Sequence, residues 1–136
     1  MKKKLLVVFV LLAVVIGYVS AVEIRDKNGK LAGKLDGNTI RDSNGRQIGR
    51  LDGNTIRDGN GRQIGRFDGD LIRDGNGRQI GKIDGDLIRD GNGRQLGRID
   101  GNTIRDANGR QMGNVSGDPA QVKMVALLAF FFFYLI

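Results

Sequence analysis

Apolar residues occur along this chain in three distinct patterns. A leading block runs from Leu5 to Ile16, a closing block from Met124 to Ile136, and between them single apolar residues recur at fixed places in a polar, glycine-rich background. The tripeptide Ile-Arg-Asp begins at Ile24, Ile40, Ile56, Ile72, Ile88 and Ile104, always sixteen residues apart and with no insertion. A fixed period of this kind is the mark of a repeat architecture, in which each unit is one small supersecondary element. Counting from the opening isoleucine, the other apolar places are the ninth (Ala32, Ile48, Ile64, Ile80, Leu96, Met112) and the twelfth (Leu35, Leu51, Phe67, Ile83, Ile99, Val115).

Each unit holds two turn signals. Asp-x-Asn-Gly, as in Asp58-Gly59-Asn60-Gly61, places Asp at the start of a type I turn and Gly at a left-handed position, which together make a three-residue hairpin loop. Asp-Gly, as in Asp68-Gly69, is a favoured pair for a two-residue type I′ turn. The chain therefore reverses about every eight residues, and the pattern predicts an antiparallel meander of strands four to six residues long. Places nine and twelve would face opposite sides of a regular strand. A bulge or bend at the intervening glycine of place ten (Gly33, Gly49, Gly65, Gly81, Gly97, Gly113) turns both inward in this reading. The density of glycine argues against an amphipathic helix.

Three apolar side chains per sixteen residues make a thin core, and one such hairpin does not stand alone. The fold class expected is all-β, a pseudo-symmetric ring of short antiparallel hairpins, because radial closure leaves few exposed edges. A stacked β-solenoid with one unit per coil is the alternative.

The ends of the chain set its organisation. Residues 1–21 have a basic start (Lys2 to Lys4), an apolar run and small residues at Ser20 and Ala21, the three-part pattern of a signal peptide cleaved after Ala21. Residues 22–119 are the six hairpin repeats, and residues 120–136 form a hydrophobic C-terminal segment. Its thirteen apolar residues would make a helix about 20 Å long, short of the roughly 30 Å of a bilayer core. Four consecutive phenylalanines, Phe130, Phe131, Phe132 and Phe133, carry too much apolar surface to remain in water. They are expected to plug the core of the ring, with membrane contact through residues 124–136 as the alternative.

The repeated IRDxNGRxxGxxDG pattern, behind a signal peptide and ahead of an aromatic-rich hydrophobic end, resembles the small secreted bacterial proteins described as five-fold β-flower proteins. The resemblance spans essentially the whole mature chain, and it implies a ring of β-hairpins with the tail as part of the fold. It implies no activity and no ligand. Six Ile-Arg-Asp starts stand against five Asp-Gly joins, at Asp36, Asp52, Asp68, Asp84 and Asp100, so five-fold and six-fold closure both remain open on the sequence.

Composition narrows the chemistry. The chain has no Cys and no His, which removes thiol and imidazole catalysis, ordinary zinc sites and disulfides. The formal charge of +7 includes three leader lysines; without them nineteen basic residues face fifteen acidic ones, about +4. The Asp-x-Asn-Gly loops are not EF-hands: counting from Asp58, place five is Arg62 and place twelve is Gly69, where bidentate Glu is required. The Gly-Asn-Gly-Arg segments fit neither the dinucleotide nor the Walker spacing. The carboxylates recur in every unit with no unique pair, so no catalytic, cofactor or metal residue is assigned and the protein is read as non-enzymatic.

Arg41, Arg57, Arg73, Arg89 and Arg105 recur in register and are the candidate contacts for an envelope polyanion or glycan. Nucleic acid is disfavoured, because no aromatic residues interleave with these rows. The sequence thus predicts an exported protein, periplasmic, cell-surface or secreted, with a structural or interaction role.

Overall fold

A computed structural model describes residues 21–136. The leader read over residues 1–21 lies outside the described residues apart from Ala21. Twelve strands follow one another: β1 (Val22–Asp26), β2 (Leu31–Asp36), β3 (Thr39–Asp42), β4 (Gln47–Asp52), β5 (Thr55–Asp58) and β6 (Gln63–Asp68), then β7 (Leu71–Asp74), β8 (Gln79–Asp84), β9 (Leu87–Asp90), β10 (Gln95–Asp100), β11 (Thr103–Asp106) and β12 (Gln111–Val115). Each is antiparallel to its chain neighbours, and β1 pairs with β12 to close a barrel. The strands are four to six residues long, as the turn spacing predicts.

The ring closes with six hairpins. Along the seam Ile24 faces Val115 and Arg25 faces Asn114, the same register in which Ile40 faces Leu35 and Arg41 faces Lys34 between the first two units. Five Asp-Gly turns join six hairpins, and strand pairing makes the sixth join. Ser116, where the other units carry Asp, seals it: its backbone N–H donates to the Glu23 carbonyl at 2.9 Å, and its hydroxyl accepts from the Glu23 N–H at 2.8 Å.

The first turn signal acts as expected. In the second hairpin Gly45 N–H donates to the Asp42 carbonyl at 3.1 Å and Asp42 N–H to the Arg46 carbonyl at 3.0 Å, closing a three-residue loop with Gly45 at φ +83°. The Asp42 carboxylate accepts from the N–H groups of Asn44 and Arg46 at 2.9 and 3.0 Å. Satisfying two loop donors with one short side chain explains why Asp stands at this place in every unit.

The second turn differs from the sequence reading. Asp68 pairs directly with Leu71, so the two loop residues are Gly69 and Asp70, not Asp68 and Gly69. Gly69 has φ +60°, and among the described residues Tyr134 alone is a non-glycine with positive φ. A left-handed glycine in the first loop position followed by an ordinary residue is a type II′ turn, not type I′. Asp and Asn are interchangeable at the second position because the turn asks nothing left-handed of it.

The bulge also falls one residue earlier than expected. Ile40 pairs with Gly49 and Arg41 with Gln47, which leaves Ile48, at place nine, as the extra residue. Places ten and twelve then alternate normally and both face inward, while Ile48 lies half-buried against the core. The inner wall is therefore built from places one, ten and twelve. The six opening isoleucines are at most 2 % exposed.

Twelve strands enclose a lumen wider than their own side chains can fill, since an eight-stranded barrel is already just filled. The C-terminal segment fills it. Helix α1 (Pro119–Leu128) buries Val122, Val125, Ala126, Leu127 and Leu128, and continues into a π-helical turn, Ala129–Phe133. Its start reuses the turn places of the sixth unit. Asp118 caps the helix by accepting from Gln121 N–H at 2.8 Å, Gln121 Oε1 accepts from Asp118 N–H at 2.9 Å, and Pro119 takes the first helical position. What would have been another hairpin becomes a helix directed into the lumen.

Candidate functional site

The four phenylalanines lie inside the ring, each against the place-ten glycine of a different unit. Phe130 meets Gly97, Phe131 meets Gly81, Phe132 meets Gly65 and Phe133 meets Gly49; after Tyr134, Leu135 meets Gly33 and Ile136 meets Gly113. Six tail side chains thus contact six consecutive units, running around the barrel against the order of the chain. The π-helical turn suits this, because closing hydrogen bonds at i to i+5 widens the turn and narrows the angle between successive side chains. Tyr134, left-handed at φ 50° and 75 % exposed, lets the last two residues complete the circle. The place-ten glycines are needed for space rather than for a bend. A methyl group on Gly97 would lie 2.7 Å from the Phe130 ring, and their backbones are not left-handed.

The candidate arginines of place two are bound within their own hairpins. Arg57, Arg73, Arg89 and Arg105 each donate from Nη1 to the carbonyl of the loop glycine four residues on, at 2.9–3.1 Å, as does Arg41 to Gly45 at 3.0 Å. Each also pairs through Nε with the aspartate of place thirteen, from 3.0 Å for Arg73–Asp68 to 3.9 Å for Arg41–Asp36. They tie one turn to the next across the outer wall. Beside them on that wall stand Lys34, Arg50, Arg66, Lys82 and Arg98 of place eleven, directly opposite Arg41, Arg57, Arg73, Arg89 and Arg105. None of these place-eleven cations has a carboxylate partner among the described residues.

The barrel is open at the rim formed by the Asp-Gly turns. Helix α1 packs closest to β1 and β12, at the seam, and leaves a cavity of about 660 Å³ against the far wall. Its apolar lining comes from Phe67, Ile83 and Ile99 of the strands and from Val122, Met124 and Leu127 of the helix. Its lip carries Asn54, Asp70, Asp86 and Asn102 from four successive turns, with Lys123 on the helix side. The Phe67 ring stands edge-on to Phe132 at 6.5 Å, which joins the cavity floor to the aromatic plug.

The opening is not visible in what repeats along the sequence. The signal lies in what does not: Phe67 is the one aromatic at place twelve, and Asp70-Leu71 and Asp86-Leu87 replace the Asn-Thr of the other joins. All three departures fall in adjacent units, at the cavity or in the turns that form its lip. Among the described residues no three His, Cys, Asp or Glu side chains gather as a metal site.

A closed ring of β-hairpins filled by its own C-terminal helix is the class of protein that this geometry defines. The chain belongs to the family described as 5-fold beta-flower protein, whose sequence profile matches residues 21–135. In this member five Asp-Gly turns link six hairpin units. No curated protein matches the chain, and no solved structure does.

Proposed function

We propose that this repeat protein is exported, acts without catalysis, and serves as a structural or interaction module of the cell envelope, whether periplasmic, surface-exposed or secreted. The observation that carries the non-catalytic reading is the nature of the interior, which is apolar throughout: among the described residues no polar or charged side chain is buried. Acid–base and nucleophilic catalysis draw on polar groups held in desolvated, pKa-shifting surroundings. Here the carboxylates of places three and thirteen serve loop N–H groups and arginines instead. Export rests on the leader pattern of residues 1–21. Fusing residues 1–30 to alkaline phosphatase, which is active only outside the cytoplasm, is expected to give an active reporter, and the processed protein is expected to begin at Val22. A reporter that stays inactive and unprocessed overturns the export reading.

The tail-anchor alternative has little support. The tail lies in the lumen, and no described helix is long and apolar enough to cross a membrane. As for the barrel wall, strands of four to six residues are shorter than the nine to eleven a spanning strand takes, and their outward places two and eleven are cationic.

One observation favours a second reading, contact with an envelope polyanion or an acidic glycan. Like charges directly opposite on neighbouring strands cost stability, yet places two and eleven set five such pairs around the wall. The place-eleven side chains, together with Arg46, Arg62, Arg78 and Arg94 in the loops, are cations without a carboxylate partner among the described residues. Retention on heparin resin at low salt is expected to fall steeply as salt rises, and to weaken when Arg50, Arg66 and Arg98 are replaced by Gln. Absence of retention at low salt overturns this reading.

A further inference from the structure

We propose that the cavity at the Asp-Gly rim binds a small amphiphilic amine, an apolar chain or ring system ending in a protonated amino group. The volume of about 660 Å³ falls within the range of small-molecule sites. Six-fold repetition alone would make six equal clefts around a central helix. Because α1 leans on β1 and β12, a cleft opens on the opposite side, and the departures from the repeat sit at that cleft.

The chemistry of the lining selects the ligand. The floor, Phe67, Ile83, Ile99 and Leu127, takes an apolar body. The lip carries two carboxylates, Asp70 and Asp86, where three other joins carry Asn38, Asn54 and Asn102. Those two acids are not required by the turn. Their backbone carbonyls already hold the next strand, accepting from Ile83 and Ile99 N–H at 2.9 and 2.8 Å, and Asn provides the same backbone elsewhere. Nor do their side chains form an ion pair among the described residues. The two turns are two strand spacings apart, about 10 Å, so one cation between them is within reach of both side chains. Lys123 places a single positive charge across the mouth, which leaves the lip net negative and disfavours a second cation after the first. An amphiphilic carboxylate would find one lysine facing two acids and is the poorer fit.

The proposal stands apart from the export and polyanion readings, whose reporter and resin assays do not alter its outcome. Isothermal titration of the purified full chain would compare decylammonium, decanoate and 1-decanol below their aggregation limits. Decylammonium is expected to bind at least about tenfold more tightly than decanoate, more tightly than decanol, and less tightly as salt rises. The Asp70→Asn, Asp86→Asn double variant is expected to lose about tenfold in affinity for the amine, leave decanol unchanged and keep its melting temperature. A second variant, Asn54→Asp, is expected to raise amine affinity, and it tests the same charge should the first variant fold poorly. No binding of the amine at 1 mM, equal binding of amine and decanoate, or amine affinity indifferent to both variants would each overturn the proposal.

Discussion

Truncating the chain after Gln121 is expected to abolish the folded state, giving a protein that aggregates or binds a hydrophobic dye and melts without a cooperative transition. The reason is the width of the barrel. Without residues 122–136 the six opening isoleucines, now at most 2 % exposed, line a water-filled lumen, and Val122, Val125, Leu127 and Leu128 no longer fill it. Truncating one fully buried aliphatic side chain to Ala costs about 2–5 kcal/mol, and a domain has only about 5–15 kcal/mol to lose. Removing four such side chains together with four aromatic rings therefore exceeds what the fold can absorb. A graded form of the same test is Leu128→Ala, expected to cost about 3 kcal/mol in chemical denaturation while leaving the transition cooperative. If the truncated chain were instead a soluble monomer with a sharp melt, the tail would not be the core of this protein.

A substitution at one glycine of the inner wall should be nearly as damaging. In Gly65→Val the new Cβ would fall on the Phe132 ring and 2.8 Å from the Arg73 carbonyl oxygen, a backbone atom that cannot move aside without shifting β7. The expected loss is about 3 kcal/mol or more, in the range of severe overpacking. Phe132→Ala alone is expected to cost about 2 kcal/mol, because the ring is only partly buried and gives up its edge contact with Phe67. Combined, the two changes should cost less than their sum by at least about 1 kcal/mol, since the smaller residue vacates the space that valine enters. Rescue stays incomplete because the Arg73 carbonyl remains in place. Strict additivity in denaturant titrations would mean that the ring and the glycine do not share this space.

The glycines show how far local reading reaches. Gly45 and its equivalents were legible because Asp42, Asn44 and Arg46, which make that loop, lie within five residues of one another. Gly49 reads locally as a source of bending, a property of its own backbone, whereas its partner is Phe133, more than eighty residues away. Nothing near Gly49 in the chain announces that contact. The type II′ turn is hidden in the sequence for a related reason: Asp-Gly suggests a type I′ pair, but the pairing of Asp68 with Leu71 moves the loop one residue on. Strand register, set by the inward-facing isoleucines and leucines, decided which two residues form the turn.

The candidate sites divide along the same line. The repeated arginines of place two are visible in the sequence as a row, and only the folded chain shows them donating to loop carbonyls within their own units. The opening beside Asp70 and Asp86 was written in the sequence as departures from the repeat. Those departures carry no meaning until Phe67, Ile83, Ile99 and helix α1 are placed around one space.

By itself the sequence determined the unit: strands of four to six residues, an Asp-x-Asn-Gly loop at one end, an Asp-Gly turn at the other, and an apolar tail too large to leave in water. Those features depend on interactions a few residues long, which composition and spacing specify directly. Tertiary structure decided the number of units that close the ring, the lumen that number creates, the glycine against which each tail side chain rests, and the cleft beside the helix. These follow from fitting one turn of a wide helix inside twelve paired strands, a condition on the whole circumference that no sixteen-residue unit can state.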